Sequence, residues 1–315
     1  MEHANGLGDT AKPRLGFIGL GNMGGRVARR LLAAGFPLGM YSRHPDSLRA
    51  LVDQGARGYS SPLLLAANSD VVLTMLPDDA ALEHVVLGDA GVLSGIPAGG
   101  TIIDLSSVHP STSRAIAVAA GQRHVSALDA PVSGSTPQAE AGTLIVFVGG
   151  ERDAYERCRP IFETISSAGF FMGPSGAGAT MKLVVNDLLG VGMQALAEAL
   201  TLGQRAGLDR DLLIDVLQQT AVLTAGQKAK LQNVRNDAYP IQFALRLMWK
   251  DFGNVMRLAQ EYQVPLPATA AAHQIATIAE NRGVDEDFSA VIRTMAELAR
   301  LPADPSAQRA GDRAA

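Results

Sequence analysis

Lys182 and Asn186 stand in "GAGATMKLVVNDLL" (176–189), a stretch that is apolar on almost every face. Their spacing is just over one helical turn, so on a helix the two side chains share a face. Burying a lysine costs on the order of several kcal/mol unless something compensates. Two readings follow. The amine can snorkel from a helix end, with its stem lying along apolar surface. Alternatively it can carry a proton. Oxidising an alcohol by hydride transfer needs a base for the hydroxyl proton. A lysine serves when burial and a nearby positive charge make its neutral form accessible. In the reverse direction the ammonium returns the proton to a carbonyl oxygen, and Asn186 would orient the substrate or the lysine.

A second constellation is "GFIGLGNMGG" (16–25), which holds G-x-G-x-x-G as Gly19, Gly21 and Gly24. The pattern alone is weak, but here it follows an apolar run and opens a helical one, which raises its value. Gly19 permits a tight turn and Gly21 lets a pyrophosphate approach the backbone. Gly24 lets helix and strand pack closely, and the helix N-terminus faces the phosphates. The loop Gly19, Leu20, Gly21, Asn22, Met23, Gly24 is therefore a candidate dinucleotide site.

At the end of the next apolar run, "MYSRHPD", Ser42 and Arg43 stand where an acid would bind the ribose 2′-hydroxyl of NAD. A hydroxyl and a guanidinium suit a 2′-phosphate instead. NADP(H) is the expected preference, with NAD(H) possible. Leu76 and Pro77 in "TMLP", and Ser106 and Ser107 in "DLSSVHP", fall at the carboxyl ends of strands, where this fold meets the nicotinamide half.

The elements that must position these residues alternate in the first half. "RLGFIG", "FPLGMYS", "SDVVLTMLP", "GTIIDLSS", "HVSALDAPVSG" and "GTLIVFVGG" read as strands, and "NMGGRVARRLLAAG", "PDSLRALVDQG" and "PSTSRAIAVAAG" as helices. Such alternation argues for a parallel sheet covered on both faces. From Gly176 to Leu301 the runs are helical: 176–206, 210–219, 227–236, 243–262, 267–282 and 287–299. The expectation is an α/β Rossmann-type N-terminal domain (14–174) and an all-α C-terminal domain (175–302), joined by a long helix. Segments 1–13 and 303–315 are expected as flexible tails.

Composition narrows the functional classes. The chain has 315 residues, 47% hydrophobic and 18% charged, with net charge −4, so no basic footprint for nucleic acid is present. Cys158 is the one cysteine, which fits a reducing, cytoplasmic setting. The N-terminus lacks an apolar signal core, and no long unbroken apolar run predicts a membrane span. The histidines are scattered without ligand spacing, so no metal site is expected. His109 and His124 are expected on loops or the surface. The apolar helical half predicts a homodimer or homotetramer.

Four motifs then occur in order: "GFIGLGNMG" (16–24), "DAPVSGS" (129–135), "GAGATMKLVVN" (176–186) and "KDFGN" (250–254). With them the chain resembles the β-hydroxyacid dehydrogenases over nearly all of 15–301. The resemblance implies a small carboxylate-bearing substrate and hydride exchange with a nicotinamide cofactor. It implies that Lys182 is the catalytic lysine and that Asn186 helps hold the substrate. It gives Ser133 and Gly134 the substrate carboxylate, Lys250 a place near the cofactor, and Ser107 that of a cofactor-touching threonine. Many members have glycine where Ser135 stands, so Ser135 adds a side chain at the pocket rim. Asp187, where a second asparagine is common, should point off the Lys182 face. The rival readings are an imine-reductase-like NADPH enzyme and a non-catalytic NADP-binding protein. The first usually lacks the lysine and the "DAPVSG" loop, and the second has no use for the lysine.

Overall fold

The computed structural model describes residues 12–301. The expected tails, 1–13 and 303–315, lie outside the described residues except for Lys12 and Pro13. The chain divides into two compact units, one ending at Lys182 and one beginning at Leu183.

The first unit is α/β. Its strands are β1 (Leu15–Ile18), β2 (Leu38–Tyr41), β3 (Arg57–Gly58), β4 (Val71–Thr74), β5 (Thr101–Asp104), β6 (Ser126–Asp129), β7 (Val132–Ser133), β8 (Leu144–Gly149) and β9 (Ser166–Gly173). They form one sheet in the order β3-β2-β1-β4-β5-β6-β8-β7, with β9 also paired to β8. Its helices are α1 (Gly24–Ala33), α2 (Arg49–Val52), α3 (Pro62–Ala66), α4 (Asp79–Leu87), α5 (Val92–Gly95), α6 (Pro110–Gly121), α7 (Thr136–Ala141) and α8 (Arg152–Ile165).

Strands β1, β4 and β5 are buried along their whole length, as expected of parallel strands covered on both faces. Successive side chains enter opposite cores. Val71, Leu73 and Ile103 join Phe17, Val27 and Leu31 on one face, while Val72 and Ile102 join Ile18, Leu65 and Val86 on the other.

From β3 to β6 the sheet is parallel, as expected, and then one strand reverses. Strand β8 runs antiparallel to β6 and β7. The polar stretch before β8 holds only the short helix α7, too little for a crossover, so the chain turns straight back. "HVSALDAPVSG" is also two strands rather than one. It breaks at Ala130–Pro131, where proline has no N–H for the ladder. Strands β3 and β9 carry no clear apolar alternation: β3 is exposed throughout and only the first residue of β9 is buried, which hides both from a periodicity reading.

The second unit is helical. Helix α9 (Ala177–Arg205) begins in the first unit and continues into the second. It is followed by α10 (Arg210–Gln219), α11 (Ala225–Asn236), α12 (Leu245–Glu261), α13 (Pro267–Asn281) and α14 (Val291–Leu298). Met193, Leu196 and Leu200 of α9 pack in a core with Leu231, Met248, Phe252 and Ala276. Among the described residues α9 is the one helix long and apolar enough to cross a membrane, with a mean hydropathy of 1.3. Its apolar residues are shared between that core and an exposed strip of Val184, Leu188, Leu189 and Leu202.

Candidate active site

The glycine loop follows β1 and opens α1. Gly19 has φ +102°, and a β-carbon there would lie 2.1 Å from the Met75 carbonyl oxygen, so no other residue fits. A β-carbon on Gly24 would lie 1.9 Å from the Gly19 carbonyl oxygen. Gly21 is the opposite case: nothing lies within 4 Å of its missing side chain. Two glycines thus close the turn, and the third leaves open space above bare backbone. Helix α1 has no side-chain cap and no acid in its first turn, so no carboxylate competes with an anion at its positive end. Leu20 and Met23 are half-buried and Asn22 is exposed. These features fit a dinucleotide pyrophosphate.

At the end of β2, Ser42 Oγ accepts hydrogen bonds from the His44 N–H (3.2 Å) and from Ser47 Oγ (2.8 Å). Arg43 is exposed beside it. The nearest acid in sequence, Asp46, faces Arg49 at 3.1 Å.

The loops after β4 and β5 are tied together by a buried carboxylate. Asp104 Oδ1 accepts from Thr74 Oγ1 (2.7 Å) and Ser106 Oγ (2.6 Å). Ser106 Oγ in turn accepts from the Leu76 N–H at 2.8 Å. Leu76, Pro77 and Ser107 therefore sit on a braced edge. Burial pushes the Asp104 carboxyl up to about 6, against the downward pull of the Ser106 and Thr74 hydrogen bonds.

Ser133 lies in β7, opposite Ile145 of β8. Gly134 has φ +129°, and a β-carbon there would lie 2.8 Å from Leu144 Cδ2, so glycine is required. Ser135 is the N-cap of α7, and its N–H and hydroxyl both donate to Gln138 Oε1 at 3.0 Å. The side chain expected at the pocket rim is thus engaged in capping the helix.

Asp129, at the end of β6, receives the first turn of α9. Its Oδ1 accepts from the Gly176 N–H and its Oδ2 from the Ala179 N–H, both at 2.8 Å. Burial pushes this carboxyl up, while those N–H groups hold it down. Lys182 follows on the next turn and is half-buried, so the desolvation anticipated for it is partial.

In the helical unit Asn186 Nδ2 donates to Asp251 Oδ2 at 2.6 Å. Lys250 Nζ lies 3.0 Å from the other oxygen of Asp251. Asp187 accepts from Thr269 Oγ1 at 2.7 Å. Trp249, 37% exposed, donates from Nε1 to Thr277 Oγ1 at 3.1 Å.

The comparisons with known proteins bear on this arrangement. Residues 14–173 match the family model described as the NAD binding domain of 6-phosphogluconate dehydrogenase. Residues 176–295 match the model described as NAD-binding of NADP-dependent 3-hydroxyisobutyrate dehydrogenase. The chain is 37% identical over 287 residues to a 2-(hydroxymethyl)glutarate dehydrogenase of Eubacterium barkeri, covering 90% of this chain and 95% of that protein. It is 36% identical over 289 residues to a 3-hydroxyisobutyrate dehydrogenase of Pseudomonas aeruginosa, covering 88% and 96%.

The chain belongs to the β-hydroxyacid dehydrogenase family.

A crystal structure of a family member, the 3-hydroxyisobutyrate dehydrogenase from Salmonella typhimurium, superposes with a TM-score of 0.81 at 30% identity, covering 89% of this chain and 99% of that one. The family's relatives support NAD(P)-dependent oxidation of a β-hydroxyacid. The first unit holds the glycine loop, Ser42–Arg43, Leu76–Pro77, Ser107, Ser133–Ser135 and Lys182. The second gathers Asn186 and Lys250 around Asp251.

Sequence reading gave no role to Asp104, Asp129 or Asp251. The available signal was an acid closing an otherwise apolar strand, as in "TIID" and "SALD". His109 stands on the loop before α6, one of the two expected places, but not on the surface. It is fully buried, caps α6, and its Nδ1 lies 2.7 Å from Ser111 Oγ.

Proposed function

We propose that the protein is an NADP(H)-preferring dehydrogenase that interconverts a small β-hydroxyacid and its semialdehyde, with Lys182 as the proton carrier. The observation that carries this reading is the placement of Lys182. It is a half-buried amine one turn beyond the anchored start of α9 and one turn before Asn186, which Asp251 holds.

In oxidation the neutral Lys182 amine takes the hydroxyl proton as the carbon-bound hydrogen departs with its electron pair and the C=O bond forms. In reduction the ammonium returns that proton to the carbonyl oxygen. When bound, the nicotinamide supplies or accepts the hydride. Ser133 and the backbone around Gly134 offer donors to the substrate carboxylate, and Asn186 orients the reacting end. Ser42 and Arg43 offer a hydroxyl and a guanidinium to a 2′-phosphate, which supports NADP(H) over NAD(H).

The substrates named by the two relatives share a primary alcohol on the carbon beside a carboxylated carbon. They differ in the third substituent, a methyl in one and a propionate in the other. That common core is the class proposed here. The exposed apolar strip of α9, with Leu212 and Val216 of α10, supports a homodimer or homotetramer. Buried Cys158 agrees with a reducing cytoplasm.

The test is an NADPH-consumption screen across succinic semialdehyde, glyoxylate, tartronate semialdehyde and methylmalonate semialdehyde. The reverse direction is run with 3-hydroxyisobutyrate and 2-(hydroxymethyl)glutarate. Turnover is expected of at least one compound that carries the common core: tartronate semialdehyde, methylmalonate semialdehyde or one of the two alcohols. Succinic semialdehyde and glyoxylate, which lack it, mark how strictly it is required. Silence on all, with reduction of cyclic imines, would replace this reading.

A further inference from the structure

We propose that Asp129 is the positioning residue that sets where Lys182 stands. The inference rests on Lys182 being the proton carrier.

The first amides of any helix have no intrahelical partner and carry the positive end of its dipole. Helix α9 meets this need with a residue from another element. The Asp129 carboxylate, 4% exposed at the end of β6, accepts the Gly176 N–H with one oxygen and the Ala179 N–H with the other. Two bonds to donors three residues apart on one turn fix both the height and the rotation of that turn. Lys182 lies on the next.

The seat has no slack. A β-carbon on Gly178 would lie 2.3 Å from the Phe147 carbonyl oxygen and 2.5 Å from that of Asp129. A β-carbon on Gly149 would lie 2.7 Å from each Asp129 carboxylate oxygen and 2.8 Å from the Gly178 nitrogen. The helix therefore rests backbone to backbone on the ends of β6 and β8.

Asp129 also leads, through Ala130 and Pro131, into β7 (Val132–Ser133) and the Gly134–Ser135 turn that follows it. One carboxylate thus references the lysine to the loop offered to the substrate carboxylate. A misplacement of about 1 Å in such geometry costs on the order of a hundredfold in rate.

The near-isosteric Asp129→Asn keeps one acceptor but presents an amide NH2 to the second N–H. The expected result is a kcat lower by roughly 30- to 100-fold, with the NADPH dissociation constant within about threefold of wild type. Hydrogen exchange at the amides of 176–180 should quicken. Adding Asp129→Asn to Lys182→Ala should slow the enzyme no further. Gly149→Ala keeps the charge but presses a methyl against it, and should show the same split between kcat and cofactor binding.

The proposal is overturned if kcat stays within about threefold of wild type in either variant, or if the two losses multiply in the double variant. Lost NADPH binding in Asp129→Asn would make Asp129 a residue of stability alone and also overturn it. If Lys182→Ala itself keeps more than about a tenth of kcat, the proton-carrier reading falls and takes this one with it. A normal Lys182→Ala loss beside an unimpaired Asp129→Asn defeats only this proposal.

Discussion

Asn186 donates its side-chain N–H to Asp251 at 2.6 Å, and the two residues are 2% and 1% exposed. An ionised carboxylate can only accept, so Asp251 decides which end of the Asn186 amide faces it. Asp251 therefore fixes the orientation of the Asn186 amide. Asp251→Asn removes that preference and leaves a buried pair poorly matched. Its kcat/KM should fall about 10- to 100-fold, with a stability loss of about 1–3 kcal/mol. Steady-state kinetics together with urea unfolding would check both, and an unchanged kcat/KM would dismiss the orienting role.

Lys182→Ala should lower kcat by at least about a hundredfold while NADPH binding persists, because positioned acid–base groups contribute on the order of 10²–10⁴. Fluorescence titration of NADPH separates the two effects. Lys182→Arg should rescue poorly, since a guanidinium does not give up its proton near neutral pH.

Arg43 is exposed and Ser42 is braced by His44 and Ser47, so the guanidinium can be removed without disturbing the fold. Arg43→Ala should reduce kcat/KM for NADPH by about tenfold and change that for NADH by less than about threefold, following the loss of one charge-assisted contact to phosphate. Equal losses with both cofactors would argue against a 2′-phosphate site.

Asp104 makes the pH dependence testable. Burial raises its carboxyl from 3.8 to about 6, so the folded protein holds this proton more tightly than the unfolded chain does. The contribution to stability is complete below about pH 4 and is lost as pH rises through about 6. Asp104→Asn lacks this titration. Thermal melts from pH 4 to 7 should show wild type losing ground to the variant across that window. A difference that stays flat would remove Asp104 as the source.

The sequence by itself determined the features that depend on neighbours along the chain. The glycine spacing of the first loop, the buried runs of β1, β4 and β5, and the spacing of Lys182 and Asn186 on one helix are local patterns. Each follows from backbone sterics or from a single period. The tertiary structure alone decided which buried polar atoms meet. Asp129 reaches Gly176 across 47 residues, Asn186 reaches Asp251 across 65, and Ser106 reaches Leu76 across 30. It also turned β8 antiparallel, buried His109 and gave the Ser135 hydroxyl to a helix cap. A buried carboxylate must find donors, but which donors arrive depends on sheet order and on how closely the glycines let backbones approach. Those are properties of the packed chain and not of any window of it.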